Sequence, residues 1–368
     1  MEPVTPGRIY IPEVGLISRS PVKMSNEYLS LYDYTYRYRR HAFYYTLCLA
    51  AFLLVLIIFY EPGNSYNWDS LDGIGYRFSR NNKIQLDPMF DVMNNLPACD
   101  LKNSSPNHAL ISQMMEEFQA CINPIVQPMK GNVEQINLEF VDRTRRCNEL
   151  PILDELKIVE MQNLHEIKWT ILPKCKENNT MLTLGIGHDT TAEEKLNRTL
   201  PNTVFYGADP IIDPNRQLYS AFGTFFPFAV GRKAGMTKFR ILPNQNQKTR
   251  KYIYQDVTTI DITYFLRDIL NLKRIDIAWI DIEGGEFEFL DYFHNGAKFD
   301  QHGITICQFN LEVHSKFHPP GAQIFHDFIF RILEDKRYIF LKPVNTEVGV
   351  HRMFFVNLED KECIAKFL

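Results

Sequence analysis

Residues 274–286 read RIDIAWIDIEGGE, an apolar run that ends in three carboxylates, Asp281, Glu283 and Glu286, and two glycines, Gly284 and Gly285. A short stretch this rich in isoleucine predicts a strand buried on both faces, the habit of parallel sheets in α/β proteins. Ligands of such sheets bind beyond the carboxyl ends of the strands. Carboxylates at that end are costly to desolvate unless something uses them. The plainer alternative is a solvated helix start, where Glu283 and Glu286 would favour the dipole.

Strand-like and helix-like stretches alternate on both sides of this run. Strands are expected over 181–187 (MLTLGIG), 203–211, 225–231, 238–243, 274–285, 304–314, 338–342 and 351–357. Helices are expected over 190–200, 259–272 and 324–336. That alternation predicts a doubly wound, mostly parallel α/β sheet of the Rossmann-like kind, covered on both faces, within residues 151–368. Two further helical patterns precede it, from His108 to Pro128 and from Leu153 to Leu164.

Two features suggest a nucleotide-like ligand. Gly185-Ile186-Gly187 closes the first strand just before a helix start, where glycines let a ligand approach the backbone. Thr190 with Glu193, and Thr191 with Glu194, have capping-box spacing. The next strand ends in Asp209, a carboxylate able to accept hydrogen bonds from both hydroxyls of a ribose; otherwise it starts an Asp-Pro turn. On the 304–314 strand, Glu312 and His314 share a face.

At these residues the chain resembles FkbM-type methyltransferases. IDIEGGEFEFL (280–290) is similar to the family's Asp-x-Glu-Gly-x-Glu core, VTTIDITYFL (257–266) to the segment preceding it, and QFNLEVH (308–314) to the strand following. LGIGHDTTAEE (184–194) and FYGADP (205–210) resemble a membrane-anchored branch related to methyltransferase-like protein 24. Trp279 departs from the lysine that many relatives carry. The resemblance implies S-adenosylmethionine as cofactor, with Gly185 and Gly187 along its carboxypropyl portion and Asp209 on its ribose. Asp281, Glu283 and Gly284 would complete the cofactor site at the edge of the reacting centre. For a hydroxyl acceptor, His314 is the first candidate base, then Glu286, with Glu312 beside them. No CxxC or Cys/His cluster suggests zinc, and no metal ligand is expected.

The N-terminal side points to a membrane. Residues 42–60, AFYYTLCLAAFLLVLIIFY, carry no charge or proline, and at 1.5 Å per residue cover about 28 Å, close to a bilayer's hydrocarbon thickness. Arg37, Arg39, Arg40 and His41 precede this segment and Glu61 follows it, so the positive-inside tendency predicts a single-pass type II signal anchor. Residues 1–41 are then a cytoplasmic tail, 61–150 a lumenal stem and 151–368 the methyltransferase-like domain. Three acceptor patterns for N-glycosylation, at Asn103, Asn178 and Asn197, lie beyond the anchor, as do Cys99, Cys121, Cys147, Cys175, Cys307 and Cys363. Those cysteines suit an oxidising lumen but allow fifteen pairings. A net charge of -4 gives no footprint for nucleic acid. The expected acceptor is a glycan or a secreted protein met in the Golgi or endoplasmic reticulum. Two alternatives stand beside this reading: a type II glycosyltransferase holding Mn²⁺ and a nucleotide sugar on Asp281 and Glu283, and a lumenal binding module without catalysis.

Overall fold

The structure, a computed structural model, describes residue 93 and residues 95–368 apart from 105, 244–250 and 319. The expected tail, the anchor at 42–60 and the first part of the stem lie outside the described residues. Among the described residues no helix is long and apolar enough to cross a membrane.

In chain order, helices α1 (His108–Val126) and α2 (Val133–Thr144) lead into a hairpin of β1 (Ile158–Gln162) and β2 (Ile167–Ile171). Then come β3 (Asn179–Leu184), α3 (Thr191–Thr199), β4 (Thr203–Ala208), α4 (Asn215–Tyr219) and β5 (Thr224–Phe226). A small sheet of β6 (Ala229–Gly231), β7 (Gly235–Ile241) and β8 (Ile253–Asp261) follows. The remainder holds β9 (Arg274–Ile275), β10 (Ile277–Ile280), β11 (Thr305–Ile306), β12 (Gln308–His314), α5 (Gly321–Asp335), β13 (Tyr338–Glu347), β14 (Val350–Asn357) and α6 (Lys361–Phe367).

The main sheet has the order β13-β14-β12-β10-β3-β4-β5. Strands β12, β10, β3, β4 and β5 run parallel, while β14 and β13 add an antiparallel edge. The mostly parallel α/β layout expected from the alternation is therefore present. From β3 the chain proceeds to β4 on one side, whereas β10 pairs on the other. This is a topological switch point, where the loops leaving adjacent strands diverge and open a crevice.

Side chains of period two divide the core between the sheet's faces. Leu182, Leu184, Ala278, Ile280, Phe309, Leu311 and Val313 point into the larger cluster with α5. Met181, Ile277 and Trp279 point into a smaller one with Ala192 and Leu196 of α3. On β12 the opposite face is polar, yet the whole strand is buried. The β1–β2 hairpin covers it: Asn310 accepts from Trp169 N at 2.8 Å and donates to Trp169 O at 2.7 Å, and Gln308 does the same with Ile171 at 2.7 and 2.9 Å. Buried amides whose donors and acceptors are both engaged are tolerated in an interior.

Three expectations change. Residues 153–164 form a 3₁₀ turn and strand β1 rather than a helix, because pairing with β2 overrides the local pattern. The stretch 259–272 is strand up to Asp261 and helical turns only from Ile262. Helices α1 and α2, assigned above to the stem, join the core of the α/β domain. Phe118 and Phe140 meet Phe340 of β13 with ring centroids 5.2 and 5.4 Å apart, and each fully buried ring stabilises the domain by about 2 kcal/mol. The cysteines pair as Cys99–Cys175, Cys121–Cys147 and Cys307–Cys363.

Candidate active site

Beyond the carboxyl ends of β3, β4 and β10 lies a cleft lined by Gly185, Gly187, Asp209, Asp281, Glu283 and Glu312 among others. The glycine turn, the acid of the second strand and the acidic corner thus converge on one crevice at the switch point. Gly284, Glu286 and His314 are not among the lining residues; they form its underlayer.

The turn after β3 needs its glycines. Gly185 and Gly187 have φ of 82° and 62°, values that side chains with a Cβ adopt only at a cost. Asp209 holds this turn, accepting from Ile186 N at 2.9 Å and Gly187 N at 3.3 Å through Oδ2, and from Ile211 N at 2.8 Å through Oδ1. The Asp-Pro turn considered above is therefore also realised. Burial pushes the Asp209 carboxyl upward, against those backbone donors. A carboxylate has about four lone-pair sites, and these three backbone donors, with the Asn215 side chain beside them, take up most of those of Asp209. Helix α3 starts without either expected capping box: Thr190 makes no side-chain cap, and Asp189 instead accepts from Thr191 N at 3.0 Å. Glu193 turns inward to Thr183 Oγ1 at 3.1 Å, and burial raises its carboxyl to about 7.

The acidic corner is a layered ion network. Glu286, fully buried, accepts from Gly284 N at 2.9 Å and His314 N at 2.7 Å, and takes the His314 Nδ1 proton at 3.2 Å. His314 Nε2 faces Asp281 Oδ1 at 3.5 Å, Glu283 Oε2 at 3.6 Å and Glu312 Oε1 at 3.7 Å. Burial disfavours charge on this ring, but Glu286, Asp281 and Glu312 outweigh it and raise its pKa to about 9. These carboxylates favour the protonated ring, a form that takes up no further proton, and buried Glu286 holds it from behind. Of the expected catalytic residues, Glu312 alone reaches the cleft. Burial and then Asp281 raise its carboxyl to about 7, against Arg352, His314 and Lys168.

Several lining residues were not anticipated from the sequence. Lys168 on β2 pairs with Glu166 at 2.7 Å, and Arg352 on β14 pairs with Glu166 at 2.9 Å and with Glu312. Each is the one Lys or Arg of a mostly apolar strand, and that cost is the signal sequence reading could have used. On the opposite wall Arg240 pairs with Glu283 and lies between the rings of Tyr252 and Phe317, 3.9 and 3.7 Å from their centroids.

The sequence model of the methyltransferase FkbM domain matches residues 131–340. The chain belongs to this FkbM methyltransferase family. Its enzymatic class is therefore methyl transfer, which sets aside the nucleotide-sugar reading. The matched range begins inside the helical region first taken as stem, in keeping with the packing of α2 on the domain core. An uncharacterised Caenorhabditis elegans protein is 28% identical over 107 residues, which cover 28% of this chain and 35% of that relative; the match thus spans about a third of the relative's length. Similar solved structures include a fibrillarin/Nop5p complex, with TM-score 0.30, 10% identity and coverage of 50% of this chain and 75% of that one. Another is a precorrin-6y C5,15-methyltransferase from Geobacter metallireducens, with TM-score 0.27, 11% identity and coverage of 50% and 84%. Likeness at that level carries no argument about chemistry.

Proposed function

We propose that this FkbM methyltransferase uses S-adenosylmethionine to O-methylate a glycan or secreted protein in the lumen of the secretory pathway, held there by the 42–60 anchor. The observation that carries the methyl-donor reading is the opening of Gly185, Gly187, Asp209 and Asp281 onto one cleft. Space is available for a donor: a Cβ on Gly187 would meet nothing within 4 Å. Gly185 and Gly187 then border its carboxypropyl portion, and Asp209 accepts from one ribose hydroxyl. Ile211, Val230, Ile241 and Leu242 supply an apolar wall for its base.

The bound donor supplies an electrophilic methyl group on sulfur. The protein contributes alignment of the acceptor oxygen with that methyl and exclusion of water. Glu312, which lines the same cleft as the glycine turn, receives the acceptor's proton beside Asp281, with the buried Glu286–His314 pair beneath. The lumenal assignment draws on the cysteine pairing, since disulfides persist in oxidising compartments. Exposed Asn103 and Asn178, both in irregular segments, are accessible for glycosylation. Descent from the membrane-anchored branch related to methyltransferase-like protein 24 is part of the same proposal.

The test is calorimetric titration of the full-length protein with S-adenosylhomocysteine alongside a nucleotide sugar. Methyl incorporation from labelled donor into secreted glycans is then compared in cells with and without the protein. S-adenosylhomocysteine binding together with a protein-dependent methyl-sugar signal is expected. Absence of S-adenosylhomocysteine binding sinks the donor assignment. Binding with an unchanged methyl profile sinks the glycan acceptor and leaves a silent binding module.

A further inference from the structure

We propose that Asp281, Glu312 and His314 form a seat for one divalent cation on the floor of the cleft. Each offers one donor atom within 4.8 Å of the other two. The separations of His314 Nε2 from Asp281 Oδ1, 3.5 Å, and from Glu312 Oε1, 3.7 Å, are too long for hydrogen bonds. They exceed by a few tenths of an ångström the spacing of about 3.0–3.4 Å between neighbouring donors on bonds of about 2.1 Å, so small side-chain shifts would close a coordination shell.

Two independent observations point to a missing partner there. Asp281 Oδ1 is buried and accepts no hydrogen bond, although it faces the His314 ring, which is 3% exposed. Buried carboxylate oxygens are otherwise satisfied. The second is how the ring is held. Fully buried Glu286 accepts the Nδ1 proton, which aims Nε2 at the two carboxylates, and a carboxylate behind the imidazole is the usual support of a metal-binding histidine. Charge agrees with both. With the His314 ring neutral, as a ligand must be, the carboxylates Glu166, Asp281, Glu283, Glu286 and Glu312 outnumber the cations Lys168, Arg240 and Arg352 by two. One divalent ion balances that excess, displacing the Nε2 proton to solvent as it binds.

A single imidazole with two carboxylates suits ions between the hard and soft extremes, such as Mn²⁺ or Zn²⁺, and leaves coordination positions open toward the cleft. Cation binding does not depend on the methyl-transfer reading, but its role rests on it. An ion in this seat would hold the acceptor oxygen and favour loss of its proton to solvent in the cleft, since Asp281 and Glu312 would then be ligands rather than bases.

Mn²⁺ is titrated into the full-length chain in detergent and free Mn²⁺ is followed by electron paramagnetic resonance, with Zn²⁺ as competitor. One ion per chain is expected. Affinity should fall at least about tenfold in Glu286→Gln, which weakens the support of the ring without removing a ligand, and further in Asp281→Asn and Glu312→Gln. Glu139→Gln, on the distant surface of α2, should bind like the wild type. Failure of the folded wild-type chain to bind either ion at millimolar concentration overturns the seat, as does binding unchanged by all three substitutions at the corner. Titration of the same preparation with S-adenosylhomocysteine in the absence of added cation reports separately on the donor site.

Discussion

A Cβ on Gly185 would lie 1.8 Å from the carbonyl oxygen of Asp281. The glycine turn and the acidic corner therefore touch backbone to backbone, and each fixes the height of the other in the cleft.

Gly185→Ala should accordingly be severe, costing about 3 kcal/mol from overpacking and left-handed strain and abolishing donor binding. Gly187→Ala, whose Cβ meets nothing, should cost only about 1 kcal/mol from its positive φ while still weakening donor binding in the space it enters. Urea denaturation and S-adenosylhomocysteine calorimetry on both variants check this. Equal stability loss in the two would contradict the contact.

Arg352 is the counterion of Glu312 and Glu166 inside the domain. Arg352→Leu leaves those carboxylates buried without it and should cost about 3–5 kcal/mol, together with most methyl transfer. A variant as stable as the wild type in urea would refute the pairing.

His351 stacks on Phe325 at 4.6 Å and meets Asn137 O through Nε2 at 2.9 Å, far from the charged corner in character. Burial lowers its pKa from 6.5 to about 4, with the Asn137 carbonyl opposing. The folded-state value lies below the unfolded one, so the unfolded chain binds more protons between them and stability is lost as pH falls through that window. Between about pH 7.5 and pH 5 the wild type should lose about 2 kcal/mol more than His351→Gln. Parallel pH profiles of the two would remove this residue from acid unfolding.

Non-reducing peptide mapping should recover Cys99–Cys175, Cys121–Cys147 and Cys307–Cys363 and no other pairs. The last joins the residue before β12 to helix α6, so Cys363→Ser should destabilise the domain by about 2–5 kcal/mol. Free thiols at these six positions in the purified protein would contradict the pairing and count against the proposed oxidising compartment.

Much of the fold was legible because β3, β4 and β10 are short, largely apolar and followed by glycines or acids, and β12 alternates apolar with polar residues. Gly185, Asp209 and Asp281 could be aligned on one edge from strand ends alone. The hairpin at 158–171 was not legible, since a stretch of helical spacing gives no sign of the pairing with residues 167–171 that makes 158–162 a strand. Stem and domain could not be divided either: an amphipathic helix such as α1 states that it has an apolar face, not what covers it.

The order of strands and helices, the acids and glycines at their carboxyl ends, and the FkbM kinship belong to the sequence, because they depend on residues near one another in the chain. Which acids are bases, supports or counterions belongs to the tertiary structure. His314 favours its protonated form only because Glu286, Asp281 and Glu312 gather round it, since proton affinity in a buried site depends on neighbours that the chain brings from distant positions.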